Sequence, residues 1–158
     1  MKTYACVRTD NMSGTVEGKD LVSLKYEGEI ENGTVVLVGD YLDGEREVRE
    51  ATIPGVDAEL SKLALVATPE VIKSKTYHSI ANYVNEEGTT LRGYRLTQNG
   101  IFSVTAPAFA EGVAPAVGNI VELDGAGKFL AVESATEGST TIGKVVLIEG
   151  EWYVIEIA

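Results

Sequence analysis

The feature that most constrains this chain is a succession of short apolar runs broken by glycine-containing pairs. "GTVVLVGDYL" is followed by "DGE", "GYRLTQNGIFSVT" carries Asn99-Gly100 at its centre, and "GKVVLIEGEWYVIEI" carries Glu149-Gly150. Alternating apolar residues over four to eight positions mark half-buried strands, because successive side chains of a strand point to opposite faces. Asn-Gly and Asp-Gly pairs turn the chain, since Asn and Asp tolerate a left-handed backbone and glycine adopts it without steric cost. Strands are predicted over residues 3–9, 21–26, 33–42, 45–53, 63–68, 91–96, 100–105, 119–124, 128–133, 142–148 and 151–157. Turns are predicted at Asn32-Gly33, Asp43-Gly44, Asn99-Gly100, Asp124-Gly125 and Glu149-Gly150. Helix is confined to a stretch beginning after Asp57 and another around residues 77–84. The expected fold is mainly β, an antiparallel barrel or sandwich built from hairpins, with at most one or two short helices. Residues 1–60 are expected to form an N-terminal β segment, as a small subdomain or arm, and residues 61–158 a β-barrel-like domain.

Side-chain register tests the turn at Asn99-Gly100. Directly opposed residues of an antiparallel hairpin share a face. A two-residue loop would set Leu96 against Ser103, whereas a three-residue loop over Gln98, Asn99 and Gly100 pairs Leu96 with Phe102, Tyr94 with Val104 and Arg95 with Ser103. The second register gathers the apolar residues on one face and predicts a bulged hairpin with Gly100 left-handed. By the same reasoning, Leu147 is expected opposite Trp152 and Val145 opposite Val154.

A chain of 158 residues can bury a core without a staple, and its single cysteine, Cys6, excludes an internal disulfide. The N-terminal "MKTYACVRTDNMSG" lacks a signal-type apolar region and no run approaches the length of a membrane span, so neither export by that route nor membrane insertion is expected. The sequons at Asn11 and Asn32 accordingly read as turns. Twenty-four acids against thirteen bases leave a formal charge of −11, which repels phosphate backbones and anionic lipid. Neither direct nucleic-acid binding nor a membrane partner is expected.

Each fragment of catalytic chemistry fails on spacing. His78 is the only histidine, and its neighbour Ser79 diverges from it on either a strand or a helix, so the pair does not form a base and nucleophile. Cys6 has only Arg8 as a basic neighbour on its face and reads as a small packing residue. "GAGKFL" lacks the glycine and hydroxyl positions of the dinucleotide and phosphate loops and reads as a hairpin loop. Asp40, Asp43 and Glu45 in "GDYLDGE" miss the calcium-loop spacing, and Glu86-Glu87 reads as a charged loop. The expectation is a protein that is not an enzyme and holds no cofactor or metal. "TAPAFAEGVAPAVG", residues 105–118, interrupts the alternation with two prolines and many alanines. It reads as an ordered crossing loop whose Phe109 and Val113 either pack inward or meet a subunit or partner.

Several segments carry a resemblance. "LVATPEVIKS", "YVNEEGTTLRGYRLTQNGIFSVT", "VGNIVELD" and "TIGKVVLIEGEWYVIEI" resemble small proteins encoded beside the major capsid gene in phages and prophages of Gram-positive bacteria. These are head decoration, or capsid cement-like, proteins. The resembling features are Thr68-Pro69-Glu70 after an apolar strand, Gly93-Tyr94-Arg95-Leu96, Ile101-Phe102-Ser103-Val104 after a turn, and Ile142-Gly143-Lys144-Val145 near the end. "KSKTYHSIA" departs from the family's usual stretch before "YVNEEG", and the first 60 residues match little. The resemblance implies a virion structural protein on the capsid exterior, present in the host cytoplasm during assembly. It implies the major capsid protein as partner and a homo-oligomer as the binding unit, with capsid or subunit contacts expected from the N-terminal arm, the Pro-Ala loop that carries Phe109 and Val113, or exposed strand edges. A carbohydrate- or host-surface-binding β module, with Trp152, Tyr153 and Tyr94 as stacking faces, is the alternative.

Overall fold

A computed structural model of the chain describes residues 3–70 and 80–158. Its strands are β1 (Val7–Asn11), β2 (Leu21–Lys25), β3 (Val35–Tyr41), β4 (Val48–Thr52), β5 (Leu63–Val66), β6 (Leu91–Arg95), β7 (Ile101–Thr105), β8 (Ile120–Leu123), β9 (Phe129–Val132), β10 (Gly143–Glu149) and β11 (Trp152–Ile157). Each overlaps one of the predicted intervals. Helix among the described residues is limited to one turn, α1 (Ser13–Val16), and three 3-10 turns. The stretch after Asp57 forms only the 3-10 turn Leu60–Lys62 before β5 begins. The candidate helix at 77–84 lies partly outside the described residues, and its remainder holds the 3-10 turn Ile80–Asn82.

The strands form two bodies that share a core. β2, β4, β3, β5 and β6 close a five-stranded barrel, and β1, β7, β11, β10, β8 and β9 form a six-stranded antiparallel sheet in that order. The barrel is antiparallel except at β2 and β4, which run parallel from Ser23↔Val48 to Lys25↔Glu50. Residue 60 falls between β4 and β5, inside the stretch of chain that builds the barrel. Hairpins account for β3–β4, β8–β9 and β10–β11, whereas β1–β2, β6–β7, β7–β8 and β9–β10 are crossings between non-neighbouring strands.

Alternation assigns side chains to two cores. Leu24, Val36, Ala51, Ala64, Val66 and Leu91, drawn from all five barrel strands, fill the barrel interior. Val35, Leu63, Leu65 and Tyr94 point outward from the barrel and meet Phe102, Val104, Phe129, Val145, Ile155 and Ile157 of the sheet. The "LALV" of β5 is buried on both faces, which is why it reads as a continuous apolar run. The barrel interior is narrow: a side chain at Gly93 would come within 2.7 Å of a Leu24 methyl and 2.9 Å of a Val22 methyl. At Gly143 an added Cβ would stand 2.1 Å from the backbone oxygen of Glu156, so β10 and β11 approach closely only because this position is glycine.

The expected β6–β7 hairpin does not form. β6 pairs with β2 and β5, and β7 pairs with β1 and β11, so the chain passes from barrel to sheet between them. Tyr94, Leu96, Phe102 and Val104 do share one core, but across two facing bodies rather than along one ladder. The Gly100 N–H donates to the Thr97 carbonyl at 3.0 Å, and Asn99, not Gly100, is left-handed at φ 67°. That is the geometry of a type II turn with Asn at its third position. The turn is fixed to the end of β11, because the Asn99 N–H donates to the Ile157 carbonyl and the Ile157 N–H to the Gly100 carbonyl. Arg95 stands opposite Ala64, and Ser103 lies between Arg8 and Val154.

The C-terminal hairpin forms in a shifted register. Glu149 faces Trp152 and Leu147 faces Val154; past an irregularity at Val146, Val145 faces Ile155. Gly150 turns the chain at φ 63°. The bulge brings Val145, Ile155 and Ile157 onto the core side and leaves Leu147 half exposed.

Candidate functional site

The crossing from β7 to β8 starts with a 3-10 turn at Ala106–Ala108, where Pro107 occupies a first-turn position that needs no N–H. Phe109 then pairs with Phe129 in an isolated parallel bridge, and the Ala110 N–H donates to the Phe129 carbonyl at 2.9 Å. The Phe109 ring lies 5.8 Å from that of Phe129 and 5.3 Å, edge-on, from that of Tyr153. At 4% exposure, Phe109 presents its ring to its own core. Val113 is half-buried against the same core.

Exposed apolar area lies further along this segment. Val117 is 61% exposed, Leu147 50% and Ile148 37%. The Gly118 N–H donates to the Val145 carbonyl and the Val145 N–H to the Asn119 carbonyl, which sets Val117 beside the outer half of β10, where Leu147 and Ile148, as successive strand residues, point to opposite faces. β8 pairs with β10 only at Gly143 and Lys144, so the outer half of β10 extends beyond its neighbour. Exposed apolar side chains around an uncovered strand end offer a place where another chain can pack or add a strand.

The polar residues of the interior act as ties between elements. Glu31 and Lys128, 97 residues apart, form an ion pair, and Lys128 Nζ also donates to the Pro107 carbonyl at 2.8 Å. The other Glu31 oxygen accepts from the Ala5 N–H at 2.8 Å, so one carboxylate joins the N-terminal arm, the barrel and the β8–β9 loop. In that loop Asp124 Oδ1 accepts from the N–H groups of Ala126 and Lys128. Two of the "GAGKFL" amides, those of Ala126 and Lys128, are therefore taken by the loop's own carboxylate, and the segment joins β8 to β9 as the hairpin loop that the sequence suggests. Asn32, 1% exposed, donates to the Thr68 carbonyl at 2.9 Å and accepts from the Thr68 N–H at 3.1 Å and from Asn85 Nδ2 at 3.0 Å. The sequon asparagine is thus a buried junction between the β2–β3 loop and the segments flanking β5 and β6. Sequence reasoning missed both ties because their partners are distant in the chain and no local pattern marks them.

The other candidates separate in space. Cys6 is buried, its N–H donates to Thr105 Oγ1 at 2.9 Å, and burial, then Glu70 and Glu151, push its thiol pKa up. Asp40 is exposed near the end of β3, and Asp43, Glu45, Glu86 and Glu87 are exposed in the loops. His78 and Ser79 lie outside the described residues. Among the described residues, no group of three or more His, Cys, Asp or Glu side chains is arranged to hold a metal ion. Glu122 is buried, and one of its oxygens accepts from the Thr136 N–H at 2.9 Å. Trp152 is 8% exposed with the Arg8 guanidinium 3.9 Å from its ring centre, and Tyr94 is 9% exposed. With Tyr153 packed against Phe109, these aromatics line the fold's own contacts rather than an open stacking platform. No protein-family model matches the chain, and no curated protein sequence matches it.

Proposed function

We propose that this protein is a virion structural protein that binds the outer surface of an assembled phage head and stabilises it. Its partner is the major capsid protein, and the binding unit is a homo-oligomer. The observation that carries the reading is the coherence of the segments that resemble head decoration proteins. Leu65, Tyr94, Leu96, Phe102, Val104 and Val145 meet in the shared core of barrel and sheet. Two of the six glycines of those segments, Gly93 and Gly143, sit where a side chain would collide with its neighbours. The resemblance therefore follows the frame of the fold rather than scattered surface positions. The charge of −11 suits the solvent side of a head rather than its genome side.

Decoration acts by mass action: a protein that binds only the assembled lattice lowers its free energy relative to free subunits. Closure of the oligomer about a symmetry axis multiplies weak contacts. In this reading Val117, Leu147 and Ile148, exposed around the end of β10, supply apolar contacts, and Val113 lies on the same crossing loop as Val117. Phe109 acts from below by holding the crossing loop in place.

Sedimentation tests the proposal. The protein is mixed with assembled phage heads built from the proposed partner, the major capsid protein, and separately with its unassembled subunits. Saturable co-sedimentation with heads, weakened about tenfold or more by the double variant Val117→Asp and Leu147→Asp, is expected. Failure to pellet with heads, or equal affinity for free subunits, refutes it.

A further inference from the structure

We propose that a second surface, a cleft where the barrel's parallel seam opens, binds an extended basic segment of another polypeptide. The ladder between β2 and β4 ends at Lys25↔Glu50, but β4 continues along β3 to Thr52, which pairs with Leu37. β2 instead turns away, with the Gly28 N–H donating to the Tyr26 carbonyl at 3.1 Å. The last residues of β4 thus lose their neighbour on the β2 side. The backbone N–H and C=O of Ile53 and the N–H of Glu27 make no hydrogen bond within the described residues. Unpaired backbone groups along a strand end are the template to which an extended peptide adds.

The cleft at this opening has a volume of about 530 Å³, with Tyr26, Leu42, Ala51 and Ile53 among its lining residues. That is within the range of about 300–1,000 Å³ typical of ligand clefts. Its charged lining is Glu27, Glu50 and Glu87 against Lys25 alone. None of these four belongs to the ion pairs found among the described residues, which join Lys19 to Glu17, Lys62 to Glu59 and Lys128 to Glu31. Three carboxylates against one ammonium leave a local excess of negative charge inside a protein already at −11. A ligand alternating Lys or Arg with small apolar residues meets all three features. Its backbone completes the open strand, its apolar residues cover Leu42 and Ile53, and its cations face the glutamates. A neutral oligosaccharide would use the Tyr26 ring and the carboxylates, but it would leave both the charge excess and the open backbone groups unanswered. The inference does not rest on capsid binding, since the cleft and the Val117–Leu147 patch are built from separate strands.

The test is an amide NMR titration of the full chain with three probes: acetyl-Lys-Val-Lys-Val-Lys-amide, acetyl-Glu-Val-Glu-Val-Glu-amide and a neutral glucose pentasaccharide. The basic peptide is expected to shift the amides of Tyr26, Glu27, Ile53 and Glu87, with a Kd that rises with salt. The double variant Glu27→Gln and Glu87→Gln, at exposed positions, should leave the remaining spectrum intact and weaken the basic peptide by about tenfold. Equal binding of the acidic peptide, pentasaccharide shifts at these amides, or no shifts there with millimolar basic peptide overturns the proposal.

Discussion

Replacing Asn32 tests the idea that one buried amide holds the barrel's loops together. Asn32→Ala removes three hydrogen bonds, two shared with the Thr68 backbone and one with the side chain of Asn85, which is itself 1% exposed. A hydrogen bond contributes about 1 kcal/mol net, and an orphaned buried donor costs about 1–3 kcal/mol. The loss should be roughly 3–5 kcal/mol. With a urea slope of about 2 kcal/mol/M, the unfolding midpoint should fall by roughly 1.5–2.5 M. Asn32→Asp separates geometry from charge. Its carboxylate still accepts from the Thr68 N–H and Asn85 Nδ2, but turns an oxygen toward the Thr68 carbonyl where the amide donated. Burial beside that carbonyl raises the folded carboxyl pKa above its unfolded value of about 3.9. The folded variant then holds its proton at pH values where the unfolded chain has released it, so stability falls as pH rises from about 4 through the folded pKa. Urea melts at pH 4 and pH 7 should show Asn32→Asp close to the parent at the lower pH and well below it at the higher. A midpoint for Asn32→Ala within about 0.5 M of the parent, or a pH-independent gap for Asn32→Asp, would refute the reasoning.

Two further outcomes follow from the same packing. Gly143→Ala sets a methyl 2.1 Å from a backbone oxygen that cannot rotate away, so the loss should reach the upper end of the roughly 1–3 kcal/mol usual for overpacking. Because β10 lines the core shared by barrel and sheet, thermal melts by far-ultraviolet dichroism and by tryptophan fluorescence should fall together as one transition. Cys6 should react with a disulfide reagent at pH 8 at least about a hundredfold more slowly in the native state than in urea. Its raised folded pKa means that the contribution to stability is present below the unfolded thiol pKa of about 8.5 and declines as pH rises through it. Urea melts between pH 7 and pH 10 should show that decline in the parent and lose its thiol part in Cys6→Ala.

How far the fold was legible follows from what a periodic pattern encodes. Alternation records which face of a strand is apolar, and on that basis each of the eleven predicted intervals overlaps an observed strand, the first by only Val7–Thr9, and Tyr94, Leu96, Phe102 and Val104 share one buried core. It does not record whether two apolar sets oppose each other along a ladder or face each other from two layers. Both arrangements give Leu96 and Phe102 the same environment. The turn at Asn99-Gly100 was ambiguous for the same reason, since a left-handed Asn serves a crossing as well as a hairpin. In β10–β11 the glycine turn was readable, but the bulge at Val146 was not, because one extra residue shifts the register without altering composition. The core position of Phe109 also lay beyond local patterning, being fixed by a bridge to Phe129 twenty residues ahead.

The same limit explains why the candidate surfaces had to come from the structure. Glu31, Lys128, Asn32, Asn85 and Asp124 look, as a sequence, like the raw material of a site, yet each is engaged by another part of the chain. Polar groups that hold elements together in this way are satisfied inside the fold and offer little to a ligand. Two surfaces among the described residues that are not engaged in this way differ in chemistry. The end of β10 offers Leu147 and Ile148 beside Val117, and suits an apolar, area-driven contact that weakens little with salt. The seam beyond Lys25 and Glu50 offers carboxylates and open backbone groups, and suits a basic strand whose affinity falls as salt rises. A single partner engaging both surfaces would show binding with two separable parts, one removed by salt and the Glu27→Gln and Glu87→Gln pair, the other by Val117→Asp and Leu147→Asp. Two independent partners would each respond to one pair of substitutions alone, so the two double variants distinguish a composite interface from two separate ones.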